Sequence, residues 1–449
     1  MPADPFKVFL YYLHYKYGRP FTSRKSLERW QSKKIKKHLK YVAKYSPLYH
    51  GMKQLDQYPV ADKPFMMKNF SKLNTVGICR EEAEAFAIKA EKNRDFAPKL
   101  KGVTVGLSSG TSGNRGIFLV SDHEKNQWAG YILAKFLPNN LFTSCSIAFF
   151  MRADSNLYEA VRSRQIRFHF FDLYQDLGTH RHRLEEICPQ ILVGQPSLLL
   201  MLAGEKATGR LAIFPQIVIS IAEVLEKEDE ARLKKAFGLK VIHQVYQCTE
   251  GCLATTCPYG TLHLNEDIVS IEREYLDGHR FIPIVTDFCR KAQPVIRYRL
   301  NDILIERKKP CPCKSPFLAL EKIEGREDDI FQFQSPDGTI KQVFPDFIRR
   351  CFLFACAQET HLGDYRAVQD TDGKIIIHAH LTESGKKQVQ KEFQYLAQDQ
   401  GFLLPEITFQ PYTWEPGKKM KRVERKLPLK LPEGGSTNEV QSKSTIPQS

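Results

Sequence analysis

The chain has 449 residues, of which 42% are apolar and 26% are charged. This balance excludes a wholly disordered protein and provides enough apolar material for about two or three domains. The 66 Lys and Arg outnumber the 51 Asp and Glu, giving a net charge of +15. The excess lies at residues 1–50 (+10) and 410–430 (+5), whereas a nucleic-acid enzyme usually carries it along a central groove.

We expect a cytoplasmic protein. The sequence contains no run of about 18 apolar residues, the length that a membrane-spanning helix needs. The apolar stretch 8–13 is too short for a cleaved signal peptide. The eleven cysteines are scattered and odd in number, which favours reduced thiols in cores or metal sites over disulfides. Cys145 and Cys188 are predicted to be core residues.

Residues 1–100 are predicted to be mainly helical, with a strongly basic helix over residues 26–46. Leu27, Leu39 and Val42 fall near one face of this helix and lysines cover the others. One interpretation is a surface helix docked through its apolar stripe. The alternatives are a helix lying on the inner face of a membrane, or a nucleic-acid contact.

Short apolar runs alternate with helical stretches from residue 102 onward, which predicts an α/β fold. The predicted strands are 102–107, 147–151, 166–171, 191–194, 217–221 and 241–245. Runs 281–286 and 295–298 predict antiparallel β structure. A charged stretch at 325–329 precedes a smaller α+β unit with a strand at 374–381 and a helix at 383–398. Residues 429–449 are predicted to be a disordered tail.

The segment 108–116, SSGTSGNRG, follows a predicted strand and is rich in glycine and hydroxyl side chains. Such a loop brings backbone N–H groups and hydroxyls close to phosphate oxygens. The Gly-Lys-Ser/Thr ending of a P-loop NTPase is missing. A flexible linker remains an alternative, as does a serine hydrolase with Ser108 as nucleophile, since residues 106–110 fit Gly-x-Ser-x-Gly.

This loop resembles the phosphate-binding loop of the acyl-adenylate-forming superfamily, in the branch of phenylacetate–coenzyme A ligases and coenzyme F390 synthetases. The resemblance extends over residues 35–425. It implies a large multi-layer adenylation domain at 1–324 and a small mobile domain at 325–428. It further implies ATP-dependent activation of a carboxylic acid, with release of pyrophosphate, and transfer to a thiol, with Mg²⁺ and coenzyme A. The residues that it assigns to the phosphates are Ser108, Ser109, Gly110, Thr111, Ser112 and Gly113.

The other nucleotide contacts implied by the resemblance follow in chain order. Ala222 and Glu223 are similar to a segment whose backbone lines the adenine pocket. Segment 245–251, VYQCTEG, resembles the Tyr-Gly-x-Thr/Ser-Glu motif, with Gln247 in place of glycine. In that role Tyr246 stacks on adenine, Thr249 contacts the phosphates and Glu250 holds Mg²⁺.

Four residues nearer the C-terminus complete the implied site. In the block 286–302, Asp302 is expected to accept hydrogen bonds from the ribose hydroxyls. In the hinge-like stretch 323–329, Arg326 is expected to reach the nucleotide and Asp328 to be the pivot. Segment 416–423, PGKKMKRV, resembles the segment with the catalytic lysine, which offsets charge on the α-phosphate. Alignment favours Lys419, with Lys418 as the alternative.

A structural zinc site is also predicted. Cys257 and His263 form one short pair, Cys311 and Cys313 a second, and three thiolates with one imidazole suit tetrahedral Zn²⁺. Relatives of the same branch hold zinc in a similar arrangement. Cys252 is a spare ligand, and reduced core cysteines are the alternative.

The sequence leaves the acid and the acceptor open. An aryl or fatty acid is expected, in a pocket formed by residues 130–250. Candidate lining residues, each of which also suits a plain core, are Phe149, Phe150, Tyr158 and Phe171. Transfer to an amine or a carrier protein is an alternative to coenzyme A. A catalytically degenerate scaffold at a membrane surface is the non-enzyme alternative.

Overall fold

The computed structural model describes residues 4–18, 21–93, 95–108, 115–137, 144–151, 165–173, 175, 177–356, 364–413 and 419–426. The chain divides into two units, Met1–Gly325 with Glu415–Met420, and Arg326–Trp414 with Lys421–Ser449. Lys419 and Met420, which the sequence analysis assigned to the small domain, thus group with the larger unit. The predicted tail lies outside the described residues. No helix among the described residues is long and apolar enough to cross a membrane.

Helices dominate the first hundred residues, as predicted. They are α1 (Pro5–Tyr17), α2 (Arg24–Tyr45), α3 (Lys63–Lys68), α4 (Phe70–Leu73) and α5 (Arg80–Asn93). The basic helix α2 begins after Ser23, whose hydroxyl accepts a hydrogen bond from the Ser26 N–H and caps the helix. The apolar stripe of α2 is buried, with Leu27, Leu39 and Val42 in the core. Any membrane contact of α2 would therefore use its exposed lysines.

Strands and helices alternate through the rest of the large unit. The helices are α6 (Asp122–Phe136), α7 (Leu177–Ile187), α8 (Pro196–Ala207) and α9 (Lys227–Phe237). Strands β1 (Val103–Leu107) and β2 (Ile117–Ser121) form an antiparallel pair. The main sheet contains β3 (Cys145–Met151), β4 (Ile166–Asp172), β5 (Ile191–Gly194), β6 (Ile217–Ile221), β7 (His243–Cys248), β8 (Gly251–Thr256), β9 (Leu262–Leu264), β10 (Val269–Tyr275), β11 (Arg280–Asp287), β12 (Val295–Arg299), β13 (Asp302–Glu306) and β14 (Ala319–Arg326).

This twelve-stranded sheet is parallel on one side and antiparallel on the other. Its order is β10-β11-β13-β14-β9-β8-β7-β6-β5-β3-β4, with β12 paired to β11. Strands β4, β3, β5, β6 and β7 run parallel, and β8 is antiparallel to β7. Successive side chains of a strand point to opposite faces, so Phe149 packs with residues of α1 and α6 while Phe150 packs with residues of α7, α8 and α9. The predicted α/β class is confirmed.

The smaller unit has its own α+β core. It contains β15 (Phe331–Gln334), β16 (Ile340–Val343), α10 (Pro345–Cys356), β17 (Tyr365–Gln369), β18 (Ile375–Ala379), α11 (Glu383–Gln400), β19 (Ile407–Gln410) and β20 (Val423–Arg425). Strands β15 and β16 form a hairpin, and the others form a sheet in the order β19-β18-β17-β20. Phe352, Ile377 and Phe393 are buried where α10 and α11 cover this sheet.

Gly130 lies in α6 where α1 packs against it. A Cβ at this position would lie 2.4 Å from the Tyr11 Cβ and 2.8 Å from the Val8 carbonyl oxygen. We therefore expect Gly130→Ala to lower the free energy of unfolding by about 1–3 kcal/mol, as overpacked sites commonly do. Denaturant titration measures this change.

Gly204→Ala in α8 is the matched control, because a Cβ there meets no atom within 4 Å beyond its own helix backbone. Alanine in place of a helical glycine is expected to add about 0.5–1 kcal/mol of stability. Effects of the same sign and size at both glycines would contradict a close contact between α1 and α6.

Candidate active site and metal centre

The glycine/serine loop connects β1 to β2, and the structure describes its two ends, Ser108 and residues 115–116. The Ser108 N–H donates to the Gly116 carbonyl at 2.7 Å, and the Gly116 N–H donates to the Ser108 hydroxyl oxygen at 2.7 Å. The predicted phosphate contacts Ser109, Gly110, Thr111, Ser112 and Gly113 lie outside the described residues. A hydrolase elbow joins a strand to a helix. Here the chain returns as an antiparallel strand, so the hydrolase alternative is wrong.

The end of β6 carries a strained residue followed by a half-buried carboxylate. Ala222 has φ +67°, a left-handed conformation that costs a residue with a Cβ about 1 kcal/mol or more. The Glu223 N–H donates to the Ile221 carbonyl at 2.8 Å and closes a tight turn. The turn lies at the carboxyl edge of the parallel strands, where ligands commonly bind in open α/β sheets.

Glu223 joins this turn to the segment with the predicted catalytic lysine. Its carboxylate accepts hydrogen bonds from the Ser197 N–H and hydroxyl, both at 3.2 Å, and from the Met420 N–H at 2.9 Å. Burial raises the pKa of Glu223, while these donors and the nearby Lys419 act in the opposite direction. The sequence analysis assigned only a backbone role to Glu223. Lys418 lies outside the described residues.

Tyr246 and Asp302 lie in direct contact although 56 residues separate them in sequence. The Tyr246 hydroxyl donates to the Asp302 Oδ2 at 2.5 Å. Burial and the adjacent Asp302 carboxylate hold the Tyr246 pKa well above its ordinary value, so the phenol remains protonated as the donor. The predicted adenine-stacking and ribose-binding residues are therefore neighbours across β7 and β13.

Thr249 and Glu250 form the turn between β7 and β8. The Glu250 carboxylate lies near the Tyr298 hydroxyl, whose pKa is raised by burial and by this negative charge. The Arg290 guanidinium donates to the Thr249 carbonyl at 3.1 Å and to the Leu119 carbonyl in β2 at 3.1 Å. Arg290 therefore ties the Thr-Glu turn to the strand that follows the glycine/serine loop.

The segment 287–293, here called the crossover turn, connects β11 to β12 and forms further contacts with the same elements. The N–H groups of Lys291 and Ala292 donate to the buried Glu124 carboxylate in α6, at 2.5 and 3.0 Å. The Gln293 side chain accepts from the Leu119 N–H at 2.8 Å and donates to the Ile117 carbonyl at 3.1 Å. It thereby completes the edge of β2.

Sequence reasoning missed Glu124, Arg290 and Gln293. Each is polar, and two of them, Glu124 and Gln293, are almost fully buried. Their partners in this network lie more than 40 residues away along the chain, so no local pattern reveals these contacts. Glu124 alone carries a local signal, because Ser121-x-x-Glu124 is a capping-box pattern and the structure forms that box at the start of α6.

The hinge-like stretch belongs to the smaller unit from Arg326 onward. Asp328, the predicted pivot, is exposed. The neighbouring Asp329 is the buried carboxylate and pairs with the Lys421 ammonium at 2.5 Å. Burial raises the Asp329 pKa, and the charges of Lys421 and Arg326 oppose that rise.

Four predicted metal ligands converge from the β8–β9 loop, from β9 and from the loop before β14. The ligand atoms of Cys257, His263, Cys311 and Cys313 all lie within 4.8 Å of one another. The Cys257 and Cys311 sulfurs are 3.7 Å apart, and the Cys313 sulfur lies 3.3 Å from the His263 Nε2. The His263 Nδ1 lies 3.0 Å from the Phe317 carbonyl oxygen, an arrangement that leaves Nε2 for a metal.

Three other cysteines have different environments. Cys252, the predicted spare ligand, lies outside this cluster, and its buried sulfur accepts a hydrogen bond from Asn265 at 3.4 Å. The prediction for Cys188 is wrong, because Cys188 is exposed with φ +46°. Cys145 is buried as expected.

The predicted acyl-pocket residues are mainly core residues. Phe150 and Phe171 stack at 4.6 Å between ring centroids and are fully buried beneath α7. Phe149 packs on the other face of the sheet, and Tyr158 lies outside the described residues. A contact that the sequence did not reveal lies beside Tyr246, where the Trp128 Nε1–H donates to the Gln247 Oε1 at 3.0 Å.

No family model matches the sequence. The protein CapK of Staphylococcus aureus is 26% identical over 167 residues, which are 35% of this chain and 36% of that protein. The chain therefore matches about a third of the length of this curated relative.

Similar solved structures cover most of the chain. A 2-hydroxyisobutyryl-CoA ligase in the postadenylation state with 2-HIB-AMP has a TM-score of 0.63 at 14% identity, over 90% of this chain and 89% of that one. Its open conformation with 2-HIB-AMP and CoA has a TM-score of 0.57 at 14% identity, over 90% and 93%. The amide bond synthetase McbA from Marinactinospora thermotolerans has 0.51 at 12% identity, over 71% and 66%. The chain thus has the two-domain α/β fold of these ligases.

Asp287 in the crossover turn is predicted to make stability depend on pH. Burial raises its pKa from 3.8 to about 7, so the folded protein holds this proton more tightly than the unfolded chain. The resulting stabilisation is present below about pH 4 and is lost as the pH rises to about 7, by at most about 4 kcal/mol. The variant Asp287→Asn has no carboxyl group at this position, so it is expected not to show this pH-dependent loss of unfolding free energy.

Urea titrations of both proteins between these pH values measure the effect. The difference in unfolding free energy, wild type minus variant, should fall steadily as the pH rises. A difference that is constant with pH would contradict the buried, protonated Asp287.

Proposed function

We propose that the protein activates a carboxylic acid with ATP, releases pyrophosphate, and passes the acyl group from the acyl-adenylate to the thiol of coenzyme A. The observation that carries this proposal is the Glu223 contact described above. It places Lys419 beside the turn at the end of β6, although 196 residues separate Lys419 from Glu223 in sequence. The shared fold with ligases solved in complex with 2-HIB-AMP supports the same reaction class.

The nucleotide would lie along the carboxyl ends of β6 and β7. Tyr246 offers an aromatic face for adenine, and the Asp302 carboxylate offers acceptor oxygens for the ribose hydroxyls. The Tyr246–Asp302 hydrogen bond fixes both side chains before the nucleotide arrives. Preorganised contacts of this kind lower the ordering that binding requires.

Glu250 is the residue that would hold Mg²⁺. Its carboxylate lies near the Tyr298 hydroxyl, whose pKa is raised by burial and by this charge, and no ion pair to it is formed within the described part of the chain. A hard cation prefers such a carboxylate together with phosphate oxygens. When bound, Mg²⁺ would neutralise charge on the ATP phosphates.

The first step forms a bond between a carboxylate oxygen of the substrate and the α-phosphorus. The bond from that phosphorus to the pyrophosphate oxygen breaks, and pyrophosphate leaves with the electron pair. The Lys419 ammonium stabilises the negative charge that builds up on the α-phosphate. In the second step a thiol sulfur attacks the acyl carbon, AMP leaves with the electron pair, and the thiol proton passes to solvent.

Exchange of labelled pyrophosphate into ATP, in the presence of a library of carboxylic acids, tests the first step. Lys419→Ala is expected to reduce acid-dependent exchange by about 10²- to 10³-fold, because it removes a charge that acts on the transition state. Lys386→Ala is the control, since Lys386 is a lysine in α11 that pairs with Glu383 three residues away. Loss in Lys418→Ala instead would move the catalytic role to Lys418.

The remaining outcomes separate the enzyme from the scaffold. Exchange followed by acyl transfer to coenzyme A supports the full proposal, and transfer only to an amine or a carrier protein would replace the second step. No exchange together with no ATP binding by calorimetry would contradict the proposal and favour a catalytically degenerate scaffold.

We also propose that Cys257, His263, Cys311 and Cys313 hold a structural Zn²⁺. Three sulfurs and one imidazole nitrogen within 4.8 Å of one another suit tetrahedral coordination. The metal would join the β8–β9 hairpin to the loop before β14, which are more than 40 residues apart in sequence. The proposed role is therefore structural.

Elemental analysis tests the metal site. We expect about one zinc per chain, lost in both Cys311→Ser and His263→Asn. Cys188→Ser is the matched control and should retain zinc, because Cys188 is exposed and lies outside the cluster. Zinc retained at the wild-type level in Cys311→Ser would contradict the assignment.

A further inference from the structure

A cavity of about 540 Å³ lies on the large unit beside the cysteine/histidine cluster. Its wall is formed by the start of α2, by β10 and by residues 307–319. The cationic side chains on this wall are Arg24, Arg273, Arg307, Lys308, Lys309 and Lys314. None of the residues lining the cavity is Asp or Glu, and two of them, His263 and Cys311, belong to the cysteine/histidine cluster. We call this feature the basic cavity.

Carboxylates near the basic cavity orient its three arginines. Glu266, which is almost fully buried, accepts from the Arg24 Nη1 at 2.6 Å and from the Leu318 N–H at 2.7 Å. Arg24 is thereby held against the loop that forms the opposite wall.

Carboxylates also position the other two arginines of the basic cavity. Arg273 pairs with Glu306 at 3.2 Å. Arg307 lies 3.8 Å from Glu321, and its Nε–H donates to the Lys309 carbonyl at 3.1 Å. Guanidinium groups positioned in advance suit phosphate oxygens, which they can bind through two parallel hydrogen bonds.

The three lysines of the basic cavity are exposed. Within the described part of the chain, none of them forms an ion pair with a carboxylate. Three ammonium groups on one short loop repel one another, so an anion that bridges them would be stabilised. A single phosphate group is too small to contact charges on all sides of a cavity of this volume.

We propose that the basic cavity binds an anion with two or more phosphate groups. Its volume lies within the range of about 300–1,000 Å³ that is typical of small-molecule sites. The phosphates could belong to a free polyphosphate or to a lipid headgroup, since both present the same oxygens. The site is separate from the adenylation residues and independent of that reaction.

Calorimetry with inorganic tripolyphosphate, at physiological salt, tests the site. The triple variant Lys308→Gln, Lys309→Gln, Lys314→Gln removes three charges from the basic cavity without removing a zinc ligand. The matched control Lys33→Gln, Lys36→Gln, Lys37→Gln removes three charges from exposed positions of α2. We expect binding at least about tenfold weaker in the cavity variant, about 1.4 kcal/mol or more, and little change in the control.

Sedimentation with phosphatidylcholine vesicles, with and without phosphatidylinositol bisphosphate, identifies the source of the phosphates. Vesicle binding that only the cavity variant loses would assign them to a lipid headgroup, and tripolyphosphate binding alone would assign a free ligand. Equal weakening in both triple variants would overturn the proposal in favour of nonspecific charge attraction. Absence of both forms of binding in the wild-type protein would also overturn it.

Discussion

The geometry of the candidate active site depends on the hydrogen bonds of one turn. The crossover turn between β11 and β12 binds β2 through Gln293, α6 through Glu124, and the Thr-Glu turn through Arg290. Strand β2 and helix α6 are consecutive in sequence, whereas the Thr-Glu turn follows more than 100 residues later. Most of the bonds involve a buried or charged partner, and such bonds are expensive to leave unmade. The crossover turn therefore links β2, which follows the glycine/serine loop in sequence, to the turn that carries Glu250.

Much of the fold could be predicted because the apolar runs match the observed strands closely. The predicted bounds of β5 and β6 agree with Ile191–Gly194 and Ile217–Ile221, and α2 begins and ends within two residues of its predicted limits. Continuous apolar runs are typical of parallel strands buried on both faces. The placement of Lys419 with the large unit could not be predicted, because it depends on a long-range contact with Glu223 and not on local pattern.

The candidate site was predictable where its residues occur in compact motifs. The four cysteine and histidine residues occur as two short pairs, and the structure brings the pairs together. The aromatic residues Phe150 and Phe171 were ambiguous, because an apolar side chain on a strand gives the same signal in a core as in a pocket. The role of Glu223 was hidden for a different reason. Its partners are backbone and hydroxyl groups, which carry no signature in sequence.

The Glu223 contact also limits which sequences the C-terminal segment can adopt. The group that Glu223 binds at position 420 is the main-chain N–H and not the methionine side chain. Nearly every amino acid supplies that donor, and proline alone lacks it. Evolution can therefore vary the chemistry of this position freely while keeping the lysine before it in place, and the constraint would be visible among homologues only as a position where proline is avoided.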